Sequence, residues 1–244
     1  MRHIHYLYLY KEKIEDMKFS GKSTPCLKGV LSLLVAVLYF SSSLHAQTIT
    51  CPPNLNFEQG NFSNWNLYTG TPPSGGCCPI STPTSSTPLW WRFAITSGNG
   101  TDAYGGFPVV APGGGVYSLK LGNVYGGAEA ERARYYVNVP SGLNNYSIIF
   151  RYAVVFENPN HISSQQPRFE VKAFDSATNA AISCAQFTYI STANLPGFAR
   201  STVDTSVWYK SWTTASIDLS GYAGRTIALD FASGDCSQGG HFGY

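Results

Sequence analysis

The sequence predicts an all-β domain, a sandwich or barrel of about eight to ten antiparallel strands. Only 12% of its residues are charged while 14% are aromatic, a balance that favours pleated, half-buried surfaces over helices. Apolar and polar residues alternate with a period of two in several segments, and turn-forming residues separate these segments at roughly ten-residue intervals. Because no segment shows the apolar period of a helix, one all-β domain accounts for the mature chain.

Residues 1–46 have the pattern of a leader and signal peptide rather than of a folded domain. Basic residues up to Lys28 precede an apolar run over residues 30–40, and serines and the small residue Ala46 follow. A basic segment, a short apolar run and a small exit residue are typical of a secretory signal peptide. The run is too short to span a membrane. We therefore expect secretion and a mature chain over residues 47–244, with no membrane span.

The expected start and the charge of the mature chain follow from this leader. A start at Met17 gives an ordinary basic N-terminal region, so we expect Met17 to be the true start. Residues 1–46 hold six of the sixteen basic and three of the fourteen acidic residues, which leaves ten and eleven in the mature chain. Since no basic stripe remains, nucleic acid is not an expected partner.

Five cysteines remain in the mature chain as disulfide candidates, because secretion places them in an oxidising compartment. They are Cys51, Cys77, Cys78, Cys184 and Cys236. Their spacing is not that of a zinc site with paired Cys-x-x-Cys motifs. Cys51 can pair with Cys77 or Cys78, and Cys184 can pair with Cys236. The odd number leaves at least one cysteine free, paired with another chain, or paired with a cysteine beyond the printed sequence.

The strands are predicted where the period of two is clearest. Residues 71–115 are rich in Pro, Gly, Ser and Thr, and we interpret them as a long excursion from the sheet that carries one short strand over residues 90–95. Residues 146–156 are apolar on both faces except for Arg151, which predicts a central strand. The other predicted strands cover residues 117–121, 133–139, 168–175, 184–190, 208–212, 215–219 and 226–231.

The stretch from Leu55 to Trp65 opens the mature domain and contains one acidic residue, Glu58. A short apolar/polar alternation that breaks at Gly60 predicts a strand end, with the Glu58 carboxylate held near backbone carbonyls at the rim of the sandwich. Carboxylate and carbonyl oxygens are the ligands that calcium prefers. Glu58 is therefore the candidate ligand of a structural calcium ion, the one cofactor that we expect. The alternative is a solvated glutamate in an edge turn.

Several motifs occur in an order that resembles a known arrangement. They are Phe57-Glu58-x-Gly60 with Trp65, Tyr117 to Gly122, Phe150-Arg151-Tyr152, His161 to Phe169, Trp212, Asp218 to Gly224, and Asp235 to Tyr244. This order resembles the jelly-roll sandwich of meprin-type MAM domains and many carbohydrate-binding modules. More closely, it resembles the N-terminal jelly-roll domain of large secreted surface proteins of Bacteroidetes, in which PKD-type domains and a gliding-motility-associated C-terminal sorting domain usually follow.

The resemblance implies a jelly-roll fold, attachment at the cell surface through further domains, and binding rather than a reaction. It also implies that an aspartate just past Tyr244 would face Glu58 across a calcium ion. The printed sequence stops in the middle of what has the pattern of another strand, so we expect the domain over residues 47–244 to continue beyond Tyr244.

Aromatic side chains and one histidine are the candidate ligand-binding residues. Trp90, Trp91 and Tyr104 lie in the excursion, and His161 lies in a polar loop. Adjacent strand residues face opposite sides, so at least one of the two tryptophans can be exposed for stacking on a sugar. The competing interpretation is that these residues pack in the core or order their loops.

The sequence offers little catalytic chemistry, so we assign no catalytic residue. His161 and His241 are the two histidines after the leader, and no Gly-x-Ser-x-Gly nucleophile motif occurs. Glu129 and Glu131 share a strand face, as a glycosidase pair could. Interleaved arginines at 132 and 134 favour instead a salt-bridged outer face.

We therefore expect a non-catalytic, secreted cell-surface or adhesion module that binds a glycan or a surface protein. The alternatives are a secreted, glycosidase-like hydrolase and a purely structural domain that presents other proteins. Convergent carboxylates in a cleft would favour the hydrolase, and a flat apolar patch would favour a protein partner.

Overall fold

A computed structural model describes residues 51–73, 80–85 and 87–244, with the backbone alone described over 81–85. The predicted leader, and Cys77 and Cys78, lie outside the described residues. Residues 51–244 form one compact unit. The described residues form eleven antiparallel strands and one short 3-10 helix, Ser163–Gln165, and contain no α-helix. The all-β prediction is confirmed, with one strand more than the upper end of the expected number.

The larger of the two main sheets has six strands in the order β2-β1-β5-β11-β7-β8. Their bounds are β1 Trp65–Thr71, β2 Ser81–Ser85, β5 Ala130–Asn138, β7 Arg168–Asp175, β8 Phe187–Ile190 and β11 Thr226–Gly234. The last of these strands in the sequence, β11, lies in the middle of the sheet, between β5 and β7. Its residues are buried over most of their length, as a central strand requires.

The second sheet has three strands in the order β6-β10-β9, and a separate two-stranded hairpin joins β3 to β4. Their bounds are β3 Phe93–Ser97, β4 Tyr117–Leu121, β6 Ser147–Glu157, β9 Ala199–Arg200 and β10 Val207–Asp218. Side chains from both main sheets and from the hairpin form one core cluster, which includes Phe93, Ala133, Val154, Ile217 and Leu229. The two main sheets therefore enclose the core between them, as in a sandwich of the jelly-roll kind.

The period of two identifies β5 correctly. Ala133, Tyr135 and Val137 are buried, and the residues between them are half-buried or exposed. The predicted strands at 208–212 and 215–219 form one strand, β10, whose register shifts between Lys210 and Thr213. The excursion carries β2 as well as β3, and β2 was not predicted because its Ser-Thr-Pro composition lacks apolar residues.

The prediction that residues 146–156 form a central strand is wrong for the first half of this segment. In the three-stranded sheet β6 lies at the edge, and Ile149 in its first half is largely exposed. Its second half gains a partner from the end of the chain, because Val155 and Tyr244 exchange backbone hydrogen bonds of 2.8 and 3.0 Å. Residues 154–156 are therefore buried on both faces, which explains the continuous apolar pattern.

The stretch before β1 is a series of turns, so the predicted strand end at Glu58 is wrong. Asn54, Phe57 and Gly60 all have positive φ angles, which regular strand residues do not adopt. The Asn54 side chain holds these turns together, donating to the backbone oxygens of Asn61 and Ser63 at 2.9 Å each. The alternation in the sequence arises instead from side chains such as Phe57, whose ring stacks on Trp65 at 4.5 Å.

Candidate functional site

Two adjacent tryptophans lie in a tight turn immediately before β3. Trp90 is 80% exposed and Trp91 is 40% exposed. The turn is held by its own backbone, because the amides of Arg92 and Phe93 both donate to the Leu89 carbonyl at 2.8 Å. The two indole rings lie edge to face, with centroids 5.5 Å apart and planes at 85°. The pair therefore presents an exposed indole on a fixed backbone.

A second exposed ring follows β4 at the same end of the hairpin. The Gly122 amide donates to the Arg92 carbonyl at 2.9 Å, which places the loop after β4 beside the tryptophan turn. In that loop the Asn123 side chain accepts a hydrogen bond from the Tyr125 amide at 2.6 Å. Tyr125 is 70% exposed. The hairpin end thus carries Trp90, Trp91 and Tyr125 on two neighbouring loops.

Arg92 links this hairpin end to the first residues of β5. Its Nε donates to Glu131 Oε1 at 2.6 Å and lies 3.8 Å from Glu129 Oε2, while its Nη2 donates to the Ala130 carbonyl at 2.9 Å. Asn123 Nδ2 also donates to Glu129 Oε2 at 3.1 Å. These contacts fix the aromatic loops to the six-stranded sheet.

The carboxyl groups of Glu131 and Asp235 are buried strongly enough to raise their pKa values. Burial raises the pKa of Glu131 to about 8, although Arg92 opposes the shift. Burial also raises the pKa of Asp235 to about 7, although Asp235 accepts hydrogen bonds from the backbone amides of Glu129 and Gly243, each at 3.1 Å. Both groups therefore bind protons readily near neutral pH, while the Glu129 side chain is partly exposed.

The predicted salt-bridged outer face is wrong for Glu131, because this side chain is buried against Arg92. The two neighbouring arginines lie on the other face of β5. There Arg134 Nε bonds to Asp230 Oδ1 at 2.5 Å, and Arg132 Nη1 lies 3.7 Å from Asp230 Oδ2. The carboxylate that neutralises these arginines comes from β11, which sequence spacing within one strand cannot show.

The other candidate ligand residues lie apart from the tryptophan turn. Tyr104 is half-buried, and its ring packs on Phe242 with centroids 5.3 Å apart. His161 is half-buried and lies beside His241, with ring centroids 5.3 Å apart. Of the four predicted ligand residues, the structure brings together only Trp90 and Trp91.

Glu58 caps backbone amides at the start of β4. Its carboxylate accepts hydrogen bonds from the Val116 amide, at 3.0 and 3.2 Å, and from the Tyr117 amide at 3.3 Å. A Cβ on Gly115 would lie 2.0 Å from Glu58 Oε1, so a glycine is required there for this approach. The partners in the structure are hydrogen-bond donors rather than the carbonyls expected around calcium. The calcium site at Glu58 stays a prediction.

A cluster of nitrogen and sulfur ligands was missed by the sequence analysis. The ligand atoms of His161, Cys236 and His241 all lie within 4.8 Å of one another, and His161 Nδ1 is 3.3 Å from Cys236 Sγ. Among the described residues, Glu58 belongs to no such cluster. The Cys-x4-His spacing of Cys236 and His241 was the available signal, but the third member comes from a distant loop.

The described cysteines have free thiols in the structure. Cys51 and Cys184 are exposed, and Cys236 is buried. The pairing of Cys51 with Cys77 or Cys78 falls partly outside the described residues, and no bond joins Cys184 to Cys236. All disulfide assignments therefore stay predictions.

No family model and no curated protein matches the sequence. Among solved structures, the chain is similar to the enzymatically active domain of bacteriophage CBA120 tailspike protein 4, with a TM-score of 0.34 and 11% identity. The match covers 79% of this chain and 20% of that chain, so it spans about a fifth of the tailspike domain. A likeness of this degree carries no argument about function. Within the described part of the chain, no helix is long and apolar enough to cross a membrane.

Proposed function

We propose that this protein is a secreted, non-catalytic module that binds glycans through the exposed Trp90–Trp91 pair. The observation that carries the proposal is the 80% exposure of Trp90 on a turn whose backbone is hydrogen-bonded. A large exposed aromatic ring loses solvent contact when a ligand covers it, and single apolar side chains of this size are often the centre of a binding site. A sugar ring offers a matching apolar face of C–H groups.

The position of the pair supports a sugar ligand because polar groups lie close to it. The neighbouring loop carries Asn123, whose side chain reaches the partly exposed Glu129. Hydroxyl groups of a bound sugar need such donors and acceptors to fix their orientation. Because the edge-to-face geometry sets the two indole planes at 85°, one ring can lie flat under a sugar while the other borders it.

The environment of the nearest carboxylates supports binding rather than hydrolysis. A glycosidase requires two carboxyl groups that reach the substrate. Glu131 is 1% exposed and its Oε1 is held by Arg92, so Glu129 would have no accessible partner on this strand. Secretion and display at the cell surface, the remaining parts of the proposal, rest on the signal-peptide pattern of residues 1–46 and on the resemblance to Bacteroidetes surface domains.

The proposal is tested by screening the purified protein on a glycan array. The affinity of the best ligand is then measured for the wild type and for two variants. Trp90→Ala should weaken binding about 30-fold, since central aromatic residues contribute about 2 kcal/mol or more. The matched control is Ile149→Ala, which removes another largely exposed apolar side chain, on the edge strand β6. Both variants should keep the thermal stability of the wild type to within about 0.5 kcal/mol, because both side chains are exposed.

Equal affinity of the wild type and Trp90→Ala for the glycan would refute the proposed site. Loss of binding in Ile149→Ala as well would indicate a nonspecific effect. A second experiment measures the oxidation of Trp90 with and without a surface protein. If no glycan on the array binds and the surface protein protects Trp90 from oxidation, the protein-binding alternative replaces the proposal.

A further inference from the structure

We propose that His161, Cys236 and His241 form a zinc site. The three ligand atoms lie within 4.8 Å of one another, although the residues come from two loops far apart in the sequence. The site is independent of the glycan-binding surface and of Glu58.

Local structure brings the three residues together. Cys236 and His241 lie in one turn after β11, closed by a hydrogen bond from the Cys236 amide to the His241 carbonyl at 2.9 Å. His161 lies in the loop after β6. That loop is fixed to the turn because the Ser237 amide donates to the Gln165 carbonyl at 3.1 Å. The buried Gln166 side chain then donates to the His161 carbonyl at 3.0 Å, which orients the first ligand.

The distances are those of two ligands on one metal ion. Zinc binds sulfur at about 2.3 Å and histidine nitrogen at about 2.0–2.1 Å in tetrahedral geometry, so a sulfur and a nitrogen on the same ion are roughly 3.5 Å apart. His161 Nδ1 and Cys236 Sγ are separated by 3.3 Å. The His241 ring stands edge to face against His161 with centroids 5.3 Å apart, and its ligand atom lies within 4.8 Å of the other two.

The turn around Cys236 directs a backbone amide at the sulfur atom. The Gln238 amide donates to Cys236 Sγ at 3.3 Å, and the Gly239 amide donates to the Cys236 carbonyl at 3.0 Å. Gly239 has a φ of +79°, a conformation that glycine adopts without strain. The turn therefore fixes the position of the sulfur atom.

An unpaired nitrogen provides an independent indication of a missing ligand. His241 Nδ1 is buried and has no hydrogen-bond partner in the described structure. A buried polar atom without a partner is costly, so such atoms in native proteins call for an explanation such as an ion. A metal ion bound to His241 through Nδ1 would satisfy this nitrogen.

The ligand set excludes hard cations. One thiolate and two imidazoles suit zinc, whereas calcium and magnesium require oxygen ligands. A role for Cys236 as a nucleophile is disfavoured because its side chain is fully buried. Three protein ligands leave one tetrahedral position for water or for an oxygen of another molecule.

The test is a metal titration of the purified protein after treatment with a chelator and a reductant. Zinc should bind at one ion per chain with release of a proton, and it should raise the melting temperature. Cobalt, used as a spectroscopic probe, should produce a thiolate-to-metal charge-transfer band and the intense visible absorption of a tetrahedral ion. The variants are Cys236→Ser and His161→Gln, and the matched control is Cys184→Ser, which alters an exposed thiol.

Cys236→Ser should abolish the charge-transfer band, and His161→Gln should weaken zinc binding at least 100-fold, while Cys184→Ser binds like the wild type. If the ligand variants fail to fold, the band in the wild type still decides whether a thiolate binds the metal. The proposal is overturned if the reduced wild type takes up no zinc at micromolar concentration. It is also overturned if folded Cys236→Ser gives the same cobalt spectrum, or if Cys236 of the secreted protein is found in a disulfide.

Discussion

Replacing Arg92 by methionine should destabilise the domain, and the loss should grow at alkaline pH. Arg92 and Glu131 are 12% and 1% exposed in their side chains, so the variant leaves a buried carboxyl group without its partner. It also removes the hydrogen bonds from Arg92 to the carbonyls of Ala130 and Gly70. Buried groups that lose their partners cost about 1–3 kcal/mol. This is the expected loss at about pH 6, where Glu131 is protonated in both proteins.

The pH dependence follows from the raised pKa of Glu131. In the folded wild type this pKa is about 8, against an ordinary value of 4.5. Because the pKa of Glu131 is higher in the folded state than in the unfolded state, its neutral form contributes to stability. This contribution is complete at a pH below the unfolded pKa, and it is lost as the pH rises to the folded pKa. Without Arg92 the folded pKa is higher still. Above about pH 8 the free energy of unfolding of the variant therefore continues to fall by about 1.4 kcal/mol per pH unit, while that of the wild type does not.

At about pH 9 the total loss should reach about 3–4 kcal/mol, similar to the cost of breaking other buried ion pairs. Urea unfolding of both proteins at the two pH values measures it. The double variant Arg92→Met, Glu131→Gln should lose most of the pH-dependent part, and the rest comes from Asp235, whose pKa Arg92 also lowers. Arg151→Met is the control, because Arg151 is exposed and bonds only the Pro112 carbonyl in the described structure. A loss for Arg92→Met that is equal at both pH values would refute the reasoning.

Two further substitutions test the loops around β4. Gly122→Ala should lower the free energy of unfolding by several kcal/mol more than Gly98→Ala, as measured by urea unfolding. Both glycines have positive φ, but only a Cβ at Gly122 would meet a neighbour, the Gly243 oxygen at 2.7 Å. Equal losses of stability in the two variants would contradict this. Glu58→Ala should cost about 0.5–1.5 kcal/mol by removing the acceptor of the exposed Val116 amide. Thermal melts of the wild type and of Glu58→Gln, each in calcium and in chelator, then test the predicted calcium site. If the site exists, calcium should raise the melting temperature of the wild type but not that of Glu58→Gln.

The sequence predicts the strands that bury one face and not those whose partners lie far away. The alternation at Ala133, Tyr135 and Val137 is visible because one side of β5 faces the core. The edge position of β6 is not visible, since its second half is covered by residues 242–244. Covering by a distant segment gives the same apolar pattern as a central position in a sheet.

The candidate sites were predictable only where one residue type carries the signal. Trp90 and Trp91 stand out because two adjacent tryptophans in a polar segment are unusual for a core. The contact between Arg92 and Glu131 joins residues 39 positions apart, and His161 lies 75 positions from Cys236. Such contacts depend on how loops meet at the end of the sandwich, and local sequence patterns contain no information about that meeting.

The central position of β11 has a consequence for how the protein reaches its folded state. Strands β5 and β7 each pair with β11, but they do not pair with each other. Until residues 226–234 have emerged, the six-stranded sheet is therefore two separate halves, each with an unpaired edge that can associate with other chains. Long-range pairing of this kind is slow. Proteolysis that removes the chain from Thr226 onward would thus expose both edges at once. We expect the remaining fragment to aggregate rather than to persist as a smaller folded domain.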